Sequence, residues 1–480
     1  MSDAARADIR FALPRPVSRA VVLGKLSTWP ESLRRAGVDV GEGGHPDLAV
    51  APAQLARQAI ATGASMVVLE GHSFHGLERK GFAVRRFLPL PRVEAPTLVI
   101  PLDETGAAHY ALRRWRPGNT AVKRIRNRLA EAMLTTGAFA ALRPLQAIAT
   151  RGTLPETPFL VAAAGDAGVP ADAGWFLTPG HGDALARGTF HLFRRGSREP
   201  DWIMKFARVP GYRDPFERDE QGLRLAAAAA PSVSKHAPRL LGRFEVAGFH
   251  SSVETAARGE QLSALVRRAP SAARAKIDEV AAWIVRMGVE TAARPEALER
   301  ERERIAREIL PHWSRQGATP ALVDLLPAVP AVLQHNDLGT WNIVTAEDGF
   351  TAVDWEWAKQ HGMPLWDLLY FLVDALAQAD GARSADERVH GAVALLRGEA
   401  PSSHVLFSWL RRAVTQAGIP PAAVGILATL CFLHHGRSHV SRAQALRTAG
   451  YGDELVPPVE RIAPIWFGDP ALGASWRAWE

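Results

Sequence analysis

The sequence predicts a chain in two parts: an α/β layer at the N-terminus, then an α+β part that is antiparallel at first and helical afterwards. Three observations predict it. Over residues 1–150, short apolar runs alternate with amphipathic stretches, the pattern of a mostly parallel sheet covered by helices. A stretch rich in Ala, Gly, Pro and Asp follows at 151–174, and beyond it come three β-like runs separated by glycine and polar turns. From about residue 260 the apolar spacing is helical, except around 333–357.

The elements follow in order. "AVVLG" (20–24) precedes the helical "PESLRRAG", "PDLAVAP" (46–52) precedes "AQLARQAIATG", and "SMVVLEG" (65–71) precedes "GLERKGF". "APTLVIPLD" (95–103) then leads into "AHYALRRW", and a basic helix is expected over about 119–141. This reads as an accessory, Rossmann-like α/β domain over 1–150, with no role assigned by its residues. After the boundary, "GWFLTPG", "GTFHLFRRG" and "DWIMKFAR" read as an antiparallel meander. A helix over "PFERDEQGLRLAAAAA" and two strands in "RLLGRFEVAGFHSSVETA" complete that part.

Composition bounds the class. The chain has 480 residues, too many for one ordinary core. An apolar content of 47% and a charged content of 22% are those of a globular protein. The N-terminus has no apolar core of a secretory signal, and no run is long enough to cross a bilayer. The single cysteine, Cys431, excludes an internal disulfide and a cysteine-based zinc site. A cytoplasmic location is the expectation. The formal charge of +7 favours anionic partners over cationic ones.

The chemistry concentrates in "LQHNDLGTWNIV" (333–344) and "TAVDWEWA" (351–358). "AVLQHND" enters as a strand, "DLGT" makes a tight loop, and "WNIVTA" leaves as another strand. "FTAVDWEW" is expected to pair with "NIVTA" across the turn "EDG" (347–349). That hairpin would return Asp354 beside Asn342 and the loop carrying Asp337. Carboxylate and amide oxygens together suit a hard cation such as Mg²⁺, and a carboxylate beside it can orient a nucleophile or take its proton.

These stretches, with "MPLWDLLYF" after them, resemble the best-known segment of the aminoglycoside phosphotransferase and choline kinase group, small-molecule relatives of protein kinases. The resemblance covers about residues 170–480. It implies a bilobal, protein-kinase-like domain, with an N-lobe over 151–255 and a helical C-lobe over 256–480. The implied reaction transfers the γ-phosphoryl of ATP to a hydroxyl of a small molecule, with Mg²⁺ on the phosphates. Asp337 would face the acceptor, and Asn342 and Asp354 would hold the cation. Lys205 in "WIMKFAR" would reach the α- and β-phosphates. Glu220 would pair with Lys205, with Glu217 nearly as good a candidate. "TPGHGDALARGTF" (178–190) would form a lid, although it departs from G-x-G-x-x-G. The backbone between Glu254 and Ala256 would meet the adenine. His335 would brace the loop, Asp367 would cap a helix or brace the loop, and Glu356 reads as a surface charge. The rival class is a catalytically silent nucleotide-binding scaffold; every expected catalytic position is occupied, which argues against it.

Other readings fail on their residues. "VVLEGHSFHG" misses the G-x-S-x-G elbow by one place, with His75 where glycine is needed. No G-x-G-x-x-G follows a strand in the N-terminal part, and its faint similarity to the tail of some class I methyltransferases lacks the glycine-rich cofactor loop. His435 and His439 are four apart but have no acidic or thiol ligand nearby, so core or solvated histidines are expected. The basic cluster Arg113, Arg114, Arg116, Lys123, Arg124, Arg126 and Arg128 reads as a solvated face, and no nucleic-acid partner is expected. In the helical part, Arg383, Arg388, Arg397, Arg411, Arg412, Arg437, Arg442 and Arg447 outnumber Asp374, Asp380, Asp386 and Glu387. That balance points to a neutral or anionic sugar, or a lipid-linked intermediate at a membrane, over a polycationic aminoglycoside.

Overall fold

Strand-forming segments from both parts of the sequence join one sheet. In the computed structural model, twelve strands between Arg19 and Thr255 hydrogen-bond in one sheet. The described residues are 3–448 apart from 27, 36, 42–44, 75–76, 116–124, 126–127, 131, 134–137, 139–142 and 181–184, together with 458–469, 472 and 476. The chain forms two compact units, Met1–Phe216 with Leu240–Ala256, and Glu217–Arg239 with Ala257–Glu480.

The large sheet lies in the first of these. β1 (Arg19–Val22), β2 (Asp39–Val40), β3 (Leu48–Pro52) and β4 (Met66–Gly71) pair in parallel, with helices α1 (Thr28–Arg35) and α2 (Ala56–Ala61) between them in sequence. β5 (Phe82–Leu90), β6 (Leu98–Pro101) and β7 (Leu145–Arg151) then pair antiparallel, with β7 between β4 and β5 and α3 (Thr105–Trp115) after β6. The N-terminal layer is thus parallel only in its first half.

β8 (Gly174–Thr178) pairs with β6 through Val99 and Leu177, so the expected division at 150/151 does not coincide with the compact units. β9 (Gly188–Phe193) and β10 (Trp202–Phe206) continue the meander, and β12 (Phe249–Thr255) lies between β10 and β11 (Leu240–Val246). The N-terminal segment Asp3–Ala12 also packs on these later strands. The Phe11 ring lies 4.5 Å from Phe206 and 5.2 Å from Phe249, and Asp8 meets the buried Arg208 at 2.7 Å. Alternation sorts the faces: Trp202, Met204, Phe206 and Val253 enter one core, and Lys205 and Glu254 point to the opposite face.

The second unit is mainly helical. Helix α4 (Asp214–Ala228) begins at the unit boundary, and its part from Glu217 belongs here. It is followed by α5 (Leu262–Arg268), α6 (Pro270–Glu290), α7 (Glu299–Arg304), α8 (Trp366–Ala379), α9 (Ala385–Arg397), α10 (Ser403–Ala417), α11 (Val424–Thr448) and α12 (Pro458–Gly468). α8 is apolar nearly all round and buried along its length, as expected of a central helix. Two small sheets sit among the helices. β13 (Glu260–Gln261), β15 (Ile343–Ala346) and β16 (Gly349–Ala352) form one; β14 (Val332–Gln334) and β17 (Lys359–Gly362) form the other. No helix among the described residues is long and apolar enough to cross a membrane.

Gly222 fixes one contact in this unit. A Cβ there would lie 1.9 Å from the Trp355 carbonyl oxygen, and Arg218, one turn earlier, covers the Trp357 ring at 4.7 Å. An interior helix glycine replaced by alanine ordinarily gains about 1 kcal/mol. Here the sign is expected to reverse: Gly222→Ala should lower stability by about 1–3 kcal/mol in urea unfolding, because backbone must move.

Candidate active site

Strand register places the cationic element. Lys205 pairs with Ser252 across β10 and β12, and Glu254 lies opposite Ile203, two places along. Both side chains share a face, and Lys205 Nζ reaches Glu254 Oε2 at 3.3 Å. The pair is largely buried, with side chains 11% and 5% exposed. Glu254, expected to contribute only backbone, thus turns its carboxylate to the lysine. The Ala256 N–H, expected to face a base, donates instead to Asp201 O at 3.0 Å, because the β12 backbone continues along β10 for one more residue. On α4, Glu220 is half-buried and pairs with Arg224 at 2.5 Å, and Glu217 is exposed.

The second unit builds the acidic element on the predicted hairpin. β15 and β16 pair from Ile343–Ala352 to Ala346–Gly349. Val353 N then donates to Asn342 O at 2.8 Å, which returns the chain to the loop and sets Asp354 one residue beyond. Asp354 adopts φ 68 and Asn336 φ 67, left-handed conformations that Asp and Asn tolerate better than most residues. Such strain is common where a side chain must be aimed.

Asp337 is enclosed by donors on one side and acids on the other. Asn342 Nδ2 donates to its Oδ2 at 3.0 Å and to its backbone oxygen at 2.8 Å. The Trp341 and Tyr370 side chains also hydrogen-bond to this carboxylate. Burial, then the charges of Asp354 and Glu356, push Asp337 up to about 8, against the pull of Asn342 and Trp341. Glu356 is therefore half-buried beside the loop rather than a surface charge, a correction to the sequence reading.

Asp367 braces the loop. At the start of α8 it accepts from His335 N at 2.6 Å and Asn336 N at 2.8 Å. Burial pushes its pKa up to about 6, against the two backbone donors. His335 Nε2 meets Val353 O at 3.0 Å, which ties the loop to the segment bearing Asp354 and makes this histidine a brace. Asp367→Ala would leave two buried N–H groups without acceptors. An expected loss of about 2–4 kcal/mol follows, readable in chemical denaturation. Behind the loop, Asn336 Oδ1 meets His434 Nε2 at 3.0 Å, His434 Nδ1 meets Arg304 at 3.3 Å, and Arg304 and Lys359 both pair with Glu301 at 2.7 Å. The sequence offered no signal for this network, whose members are far apart in the chain.

The remaining candidates separate. His434 and His435 are buried among aromatic rings, as core residues; the His439 side chain lies outside the described residues. Among the described residues, no three His, Cys, Asp or Glu side chains cluster to hold a metal. Lid residues 181–184, His75 of the failed elbow, and Arg116, Lys123, Arg124 and Arg126 of the basic cluster lie outside them too. Arg113 pairs with Glu199.

No protein-family model and no curated protein matches the sequence. Solved structures are similar at the level of fold. Aminoglycoside phosphotransferase APH(3'')-Id from Streptomyces rimosus is 18% identical, with 61% of this chain and 96% of that chain covered and a TM-score of 0.34. A thermostable mutant of aminoglycoside phosphotransferase APH(4)-Ia, in ternary complex with ADP and hygromycin B, is 16% identical over 66% of this chain and 96% of that one, with a TM-score of 0.38. WbdD, solved with a kinase inhibitor, is 12% identical over 88% of each chain, with a TM-score of 0.27.

Proposed function

We propose that this protein is a kinase of small molecules, which transfers the γ-phosphoryl group of ATP to an acceptor hydroxyl. One observation carries the reading: Asp337, bonded to Asn342, stands within the field of Asp354 and Glu356 on a loop braced from beneath. Oxygen donors from an amide and carboxylates fit Mg²⁺. Asn342 spends its amide nitrogen on Asp337, so its oxygen remains to serve a cation beside Asp354. The ion would neutralise charge on the phosphates. Asp337 orients the acceptor hydroxyl and accepts its proton. Lys205 would hold the α- and β-phosphates, with Glu254 fixing the ammonium. Because the Ala256 N–H is taken, neighbouring peptide groups would meet the base.

The acceptor is a hydroxylated small molecule, and the count of arginines does not define its charge. Arg383 bonds the carbonyls of Gln378 and Ala382, Arg397 pairs with Asp469, and Arg412 covers Trp409. Melting in ATP with and without Mg²⁺ tests the nucleotide site. At about a hundred times Kd, Mg·ATP is expected to add about 2.7 kcal/mol; no stabilisation by Mg·ATP at millimolar concentration would reject the reading.

A pH dependence follows. A base held near 8 is protonated below that value, so turnover is expected to rise with pH towards 8. A nearby cation favours the carboxylate, so the acid limb of kcat/KM should move down as Mg²⁺ rises; profiles at two Mg²⁺ concentrations check this.

A further inference from the structure

Tyr370 belongs to the same site, although its apolar helical setting marks it only as a core residue. It lies one turn into α8, three residues after Asp367, and is buried. Its ring stacks on His435 at 3.9 Å and 12° and meets Trp341 edge-on at 6.0 Å and 89°. Its hydroxyl bonds to the Asp337 side chain. Neighbours on two other elements hold its ring: Trp341 on the loop and His435 on α11. A phenol needs only one hydrogen bond to satisfy its donor, and a ring clamped between two others has little rotamer freedom to lose. A loop aspartate that must face an acceptor gains from a donor fixed on a rigid helix rather than on the loop itself.

We propose that Tyr370 is a positioning residue for phosphoryl transfer: its hydroxyl, aimed by the His435 stack, sets the rotamer in which Asp337 presents its carboxylate to the acceptor. This rests on the reading of Asp337 as the acceptor-facing residue. It goes beyond that reading in making the start of α8 part of the catalytic apparatus. Asn342 and Trp341 come from the loop itself, whereas Tyr370 ties the carboxylate to the helical core.

Tyr370→Phe keeps the ring and its stack and removes only the hydroxyl. Released phosphate is measured with Mg·ATP as donor and water as acceptor, in wild type, Tyr370→Phe, Asp337→Asn and the double variant. Melting temperatures serve as a control for folding. The expected result is a fall in kcat of about tenfold for Tyr370→Phe, the KM for ATP being unchanged, and little further fall when it is added to Asp337→Asn. An equal fall in both backgrounds, or none in the first, would overturn the proposal. Full activity in Asp337→Asn would instead remove the parent reading. A crystal structure of Tyr370→Phe gives a readout independent of turnover. The Asp337 carboxylate should leave its wild-type rotamer, and an unchanged rotamer counts against the proposal.

Discussion

Asp337→Asn is expected to lower turnover by about 10²- to 10⁴-fold while leaving the affinity for ATP nearly unchanged. The amide has the size of the carboxylate and keeps an oxygen that can accept from Asn342 Nδ2, so the loop should keep its shape. What it loses is the ability to take a proton and the charge that orients a hydroxyl. Asp337 lies on the loop between β14 and β15, and its backbone anchors, through His335 and Asn336 to Asp367, do not involve its side chain. An effect on kcat without an effect on folding is therefore the expected signature. Steady-state kinetics beside a melting curve would read both.

Asp354→Asn is expected to abolish the Mg²⁺-dependent part of ATP binding and to lower turnover roughly a hundredfold or more, since a lost cation contact removes several kcal/mol from the transition state. Asparagine is the informative substitution. Asp354 sits at φ 68, which Asn also adopts and Ala adopts poorly, so Asn removes charge without adding backbone strain. Isothermal titration with ATP, in Mg²⁺ and in its absence, separates the two contributions. Equal ATP affinity in wild type and Asp354→Asn at every Mg²⁺ concentration would show that Asp354 does not serve the cation. The substitution also removes one of the two acidic charges that raise Asp337, so its pKa should move down.

The hairpin around the loop was legible because its signals are local. A turn at Glu347–Asp348–Gly349 between apolar strands fixes the register, and the register returns Asp354 to Asn342. The meander from β8 to β10 was legible for the same reason. Long-range partners were not. Nothing in the spacing of Lys205 and Glu254 shows that β12 lies beside β10, yet that adjacency makes the ion pair. Tyr370, His434 and His435 read as ordinary core residues on apolar helices, and only packing brings them towards Asp337 and Asn336. β7 is hard to see in the sequence because "LQAIATR" abuts the Ala-, Gly- and Pro-rich stretch at 151–174, although it is the strand between β4 and β5. The parallel half of the N-terminal layer was visible in its alternating pattern. Its continuation through β6 and β8 was not, because a sheet edge that accepts one more strand leaves no mark in composition.

Phosphoryl transfer dependent on Asp337 is tested most directly by phosphorus NMR of Mg·ATP incubated with the protein and a broad panel of sugars, amino alcohols and polyols. A new phosphomonoester signal is expected to grow with ADP for the wild type and to be nearly absent for Asp337→Asn. A panel in which no phosphoester forms, or one that forms equally with both proteins, would contradict it.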